Sequence, residues 1–197
     1  MIKVVLALAL VFPMAAEPIS SADREKLLNH LARTRKLFLD SIAGVSEAQW
    51  KFKPAPDRWS IAECAEHITV TEEALFGLIT TKFLHTPPDT EKRPEGRVSD
   101  EEVIRVAVDR SVKGKAPEVI QPAGRFAGKA AVIEEFNMRR DRTVEFVRTT
   151  QEDLRARVTP GRTRLDGVQH LLRLSAHSER HTLQIEEVKA DPGYPPN

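Results

Sequence analysis

From Ser21 onward the apolar residues return at helical rather than strand spacing. Leu27, Leu31, Phe38 and Ile42 fall on one face of a first helix, which Gly44 is placed to stop. Ser46 to Arg58 contains Pro54 and Pro56, which disfavour helix in the residues before them, so this stretch reads as a connecting loop. Ser60 opens a second helix with Glu63 three residues on, a capping box, and Ile61, Ala65, Ile68, Leu75 and Ile79 carry its buried face to about Phe83. Pro87, Pro88, Pro94 and Gly96 interrupt the pattern. Ser99 and Glu102 then start a shorter amphipathic segment through Val103, Ile104, Ala107 and Val108.

Gly114 to Gly128 is rich in Pro and Gly and reads as loop. A third long helix is predicted from about Lys129 to Asp153, with Val132, Phe136, Val144 and Val147 inward. A fourth is predicted from about Arg164 to Ala190, with Val168, Leu171, Leu174, Ile185 and Val188 inward. No segment alternates with period two for long enough to suggest a sheet. The expected fold class is all-α: an antiparallel four-helix bundle with a short extra helix between helices 2 and 3. Loop lengths leave up-down-down-up and up-down-up-down both open.

The first residues follow a different pattern. Lys3 is followed by an apolar run from Val4 to Phe12, and Met14-Ala15-Ala16 ends it just before Glu17, the layout of a signal peptide. The run is shorter than the roughly 20 residues a membrane-spanning helix needs. The domain reading is a leader over 1–16 and one helical-bundle domain over 17–197, exported to the periplasm or secreted, with no membrane insertion once the leader is removed. A buried N-terminal element is the competing reading. Cys64 is the single cysteine, so no intrachain disulfide can form and an oxidising compartment carries no penalty.

Charge excludes one class of partner. The 30 basic and 29 acidic residues nearly cancel and neither sign gathers into a long run, so no nucleic acid is expected. The expected partner is a small-molecule substrate, with a homodimer left open.

The candidate chemistry lies with histidine. His177 and His181 are four apart on the fourth predicted helix, one turn above each other and about 5–6 Å apart at Cβ, close enough to share one ion. They share a stripe with Leu174, Gln184 and Val188. A hydrogen-bonded pair explains the spacing equally well. His67, one turn after Glu63 and beside inward-facing Ile68, is the candidate third ligand, since bundle cores build metal sites from facing helices. His30 has no evident partner, His85 lies in a loop beside Pro87, and His170, one heptad before His177, is a reserve ligand. Glu63 is the candidate catalytic residue, either accepting a ring N–H of His67 or acting as a general base, and its capping-box role competes with both.

Two segments carry a family resemblance. SEAQWKFKPAPDRWSIAECAEHI resembles the loop and second helix of the DinB-like (damage-inducible) metal-binding family, in which Trp-Ser starts a helix that continues through Glu to a metal-binding His. LLRLSAHSERHTLQI is similar to that family's fourth helix, two histidines four apart with Gln-Ile three residues later. The resemblance runs from about Ser21 to Val188. It implies that His67, His177 and His181 are the ligands of one divalent metal ion, zinc or nickel being the first candidates. Three imidazoles and an open fourth position imply a metal-dependent hydrolase or thiol transferase acting on a small molecule. A non-catalytic bundle clamped by the ion is the alternative. Leu183 departs from the family pattern, where many members have Gly, and the leader is unusual for proteins that use cytosolic thiols.

Overall fold

Ser20, Ser46, Ser60, Ser99 and Asp166 each accept a hydrogen bond from the backbone N–H three residues on, and each starts a helix. The computed structural model describes residues 18–89, 98–112, 114–159 and 164–196. Among them are α1 (Ser21–Ile42), α2 (Glu47–Lys51), α3 (Ile61–Thr81), α4 (Asp100–Val108), α5 (Lys129–Thr149) and α6 (Gly167–Lys189). The leader expected over 1–16 lies outside the described residues. No helix among those residues is long and apolar enough to cross a membrane.

The long helices fall where the apolar spacing puts them, and the fold is an all-helical bundle. The differences are at the joints. The Ser46–Arg58 stretch contains α2, because Ser46 and Gln49 form a capping box that holds one short turn of helix before the prolines. Helix α5 ends at Thr149 rather than Asp153. Helix α6 begins at Gly167 rather than Arg164, where Asp166 and Gln169 make a reciprocal cap. Gly167 is required there: a Cβ would lie 2.7 Å from the Leu154 carbonyl oxygen and 3.0 Å from the Phe83 ring.

Helices α1 and α3 each pack against both α5 and α6. Side-chain pairs give the directions. His30 meets Ser175 and Arg33 meets Glu179, so α1 and α6 run parallel. Arg139 donates to the Thr69 carbonyl, Arg140 pairs with Glu72 and Phe146 stacks on Phe76, so α3 and α5 are parallel too. Arg24 reaches the Arg148 carbonyl while Arg35 reaches Asn137, and His67 meets His177 while Phe83 meets His170, so the other two contacts are antiparallel. The bundle is therefore up-down-down-up. The expected antiparallel packing holds on two of its four faces, because the long 82–128 connection carries the chain back to start α5 alongside α3.

The core has two apolar halves. One gathers Phe38, Ile42, Ile61, Ile68, Phe136 and Ile185, and the other Leu27, Leu31, Ile79, Val147, Val168 and Leu171. Between them lies a buried polar layer. Arg140, 0% exposed, donates from Nε and Nη2 to the two Glu72 carboxylate oxygens, each at 2.8 Å. Its other N–H groups go to the Leu31 carbonyl, Thr34 and Ser178. All five guanidinium donors are thus satisfied, the condition for burying such a charge. Thr143 faces this layer and donates to Glu72, while Val144 packs against the core beside it as expected.

Candidate metal centre

His67 on the first half of α3 faces His177 and His181 on α6 across the antiparallel contact. The ring centroids lie 4.9 Å apart for His67–His177, 4.4 Å for His67–His181 and 4.5 Å for His177–His181. One ring nitrogen from each residue falls within a single 4.8 Å cluster. The Nε2 atoms of His67 and His177 are 3.3 Å apart. Two ligands on a tetrahedral ion at Zn–N distances of about 2.0–2.1 Å are separated by roughly 3.3 Å, so the spacing suits one small divalent ion.

Hydrogen bonds orient two of the rings. Nδ1 of His67 lies 2.7 Å from the Ile120 carbonyl oxygen, which can only accept, so Nδ1 carries the proton and Nε2 keeps its lone pair toward the other histidines. Nδ1 of His181 donates to Gln184 Oε1 at 2.9 Å, and Arg110 donates to the same oxygen at 3.1 Å, which fixes the amide's orientation. Burial holds all three imidazoles below the ordinary histidine range: His67 lowered, His181 down to about 3 and His177 well below. The rings therefore stand neutral at physiological pH, as metal ligation requires.

The Ile120 carbonyl is held in place by a residue beside the ligand. Glu66 accepts from the Ala123 and Gly124 N–H groups at 2.8 and 2.9 Å and from Arg125 at 2.8 Å, which folds the 114–128 connection over α3. Burial alone would raise the Glu66 carboxyl, but these donors outweigh it and hold it low. Trp59, just before the α3 cap, lies against two of the three rings, 4.8 Å from His67 and 5.9 Å from His181. The three histidines open onto a cavity of about 780 Å³ between α3, α6, Arg110 and residues 114–121.

A DinB superfamily model matches residues 30–185 of the chain, a span that takes in all three histidines. The chain belongs to the DinB superfamily. A similar protein from Bacillus subtilis (strain 168), described as "Uncharacterized protein YuaE", is 24% identical over 159 residues, 76% of this chain and 89% of the relative. No solved structure matches. Within this DinB-superfamily chain the residues expected to meet are the ones that meet.

The remaining candidates separate from the trio. Glu63 accepts from the Ser60 N–H at 2.7 Å and from Lys53 at 2.9 Å, so its two oxygens serve the cap and an ion pair. The acceptor on His67 is Ile120 instead. His170, the reserve ligand, packs on Phe83 with ring centroids 4.9 Å apart and stays outside the cluster. His85 is exposed. His30 does have a partner, Ser175 Oγ at 2.7 Å. Leu75 packs against the core as expected and also lines the cavity. The supporting residues Ile120 and Arg110 escaped sequence reasoning because they lie in connections, where no periodicity marks a direction. Gln184 was visible, three residues after His181 on the same stripe.

Two of these outlying rings add to the pH response that the three site histidines also give in metal-free protein. Burial pushes both His30 and His170 from 6.5 down to about 4. Between those values the unfolded chain binds protons that the folded rings refuse, so stability is full above about pH 6.5 and falls as pH drops toward 4. Urea unfolding of metal-free protein across this window should show the decline. His170→Leu, which removes one such ring from its apolar neighbour Phe83, should flatten the slope, and an unaltered slope would contradict this account.

Proposed function

We propose that His67, His177 and His181 hold one divalent ion, zinc or nickel first, in a catalytic centre that acts on a small molecule as a hydrolase or transferase. The observation that carries this reading is the cavity of about 780 Å³ onto which the three rings open, since an ion serving only as a clamp needs no such access. When bound, an ion with three neutral imidazole ligands and an open position supplies Lewis acidity to an oxygen or sulfur atom of the molecule beside it. The chain's own residues do the rest. Ile120 and Gln184 fix the His67 and His181 rings through their Nδ1 protons. Trp59 packs against the His67 and His181 rings, and Leu75 gives the cavity an apolar wall.

The test is elemental analysis of protein purified without a histidine tag, followed by a screen of hydrolase and thiol-transfer substrates before and after chelation. One ion per chain with activity lost on chelation supports the reading. Metal-free protein with an unaltered activity defeats it. Export is part of the same proposal, resting on Lys3 and the apolar run that ends at Ala15-Ala16. Mass spectrometry of native protein should find a chain beginning near Glu17, and an intact Met1 in a cytosolic fraction would refute export.

A further inference from the structure

We propose that the cavity selects small organic oxyanions, carboxylates or phosphates with an apolar body, and that Arg173 and Arg180 of α6 bind the anionic group. This rests on reading the cavity as a small-molecule site. Arg173, His177, Arg180, His181 and Gln184 are spaced along one face of α6 and all line the cavity. The helix that presents two of the three histidines thus presents two guanidinium groups beside them.

The charge around the cavity is one-sided. Among the described residues its walls carry Arg58, Arg110, Lys115, Arg173 and Arg180 against the carboxylate of Asp57. Some of that positive charge is already matched. Arg110 makes a two-pronged pair with Glu187 at 2.6 and 2.8 Å, and Arg58 lies 3.8 Å from the same carboxylate. Arg173 and Lys115 have no ion-pair partner among the described residues.

Arg180 differs from both. It donates to the backbone carbonyls of Asp109 and, at 2.7 Å, Val112, which aim the guanidinium without cancelling its charge. The charged groups around it are Arg110 on one side and Asp109 and Glu187 on the other. Asp109 and Glu187 offset part of this charge, but Glu187 is already shared with Arg110 and Arg58, so an anionic ligand meets a wall that is positive on balance. A guanidinium fork matches the paired oxygens of a carboxylate or phosphate.

The rest of the cavity calls for hydrocarbon. Leu75, Leu78 and Val119 line it, and Leu78 and Val119 are 49% and 75% exposed, apolar surface that an organic ligand body would cover. A bare inorganic ion would leave that wall in water.

The test uses the metal-free full chain, titrated by NMR with phenylphosphonate, benzoate, inorganic phosphate and neutral benzamide. Phenylphosphonate and benzoate should bind at the cavity roughly tenfold or more tightly than benzamide or inorganic phosphate, and more weakly as salt rises. Arg173→Gln with Arg180→Gln should weaken both organic anions by about tenfold and leave benzamide unchanged. Arg173→Gln alone, at an exposed side chain with no ion-pair partner among the described residues, should give a smaller loss in the same direction. Benzamide binding as tightly as benzoate, or anion affinity unchanged in the folded single and double variants, would overturn the proposal. Metal content is measured separately on the same samples. Selective anion binding by protein that never takes up an ion would sink the metal reading and leave this one standing.

Discussion

Tag-free protein carrying His177→Ala or His181→Ala is expected to lose its ion at concentrations where the parent chain is fully loaded. Each substitution leaves two imidazoles of three, and affinity at such a site falls by orders of magnitude when a ligand goes. Competition against a chelator of known affinity, with elemental analysis, measures the drop. His85→Ala and His170→Ala should leave the stoichiometry unchanged, since one ring is exposed and the other packs on Phe83. The variants should stay helical, because the apolar halves built on Phe38, Phe136 and Ile185 and on Leu27, Leu31 and Leu171 do not include the histidines. Chelation should lower the melting temperature only by ligand linkage, about 2.7 kcal/mol when the free ion is at 100 times its Kd. Wholesale unfolding on chelation would favour a structural clamp. Full metal occupancy in both variants would remove the site.

Glu72→Gln and Arg140→Met are expected to cause the largest losses of stability, about 3–5 kcal/mol each. Either change breaks a fully buried pair: Arg140 is left facing a neutral amide with one acceptor oxygen and an NH2 group in place of the second, or Glu72 is left with only the Thr143 hydroxyl. That is a large share of the roughly 5–15 kcal/mol that keeps a domain folded. The Glu72→Leu/Arg140→Met double variant removes both charges and should recover much of the loss. Urea unfolding of the two single variants and the double variant checks this. Single variants within about 1 kcal/mol of the parent would mean that the layer is wetter or looser than its geometry implies. The layer lies between two apolar halves of similar make-up, so we expect the double variant to show poorer definition of helix register by hydrogen exchange even where stability returns.

The four long helices were legible because helical periodicity is a local property. Leu27, Leu31, Phe38 and Ile42 mark a face whatever lies opposite them, and Ser60 with Glu63 marks a start within four residues. The His177–His181 pair was legible for the same reason, a fixed spacing on one helix, and the two family segments brought in His67. What stayed hidden depends on contacts across the chain. Glu72 and Arg140 interrupt apolar stripes, a visible oddity, but only packing shows that residues 68 apart in sequence neutralise each other. The choice of up-down-down-up lies in how α3 and α5 are laid side by side. The carbonyl that orients His67 comes from Ile120, 53 residues away in a connection with no period to read. Glu63 could have been either a cap or a partner of His67, since Ser-x-x-Glu spacing is compatible with both. Periodicity names the face a residue occupies, whereas a partner is chosen by distance in space, and that distance exists only once the helices have packed.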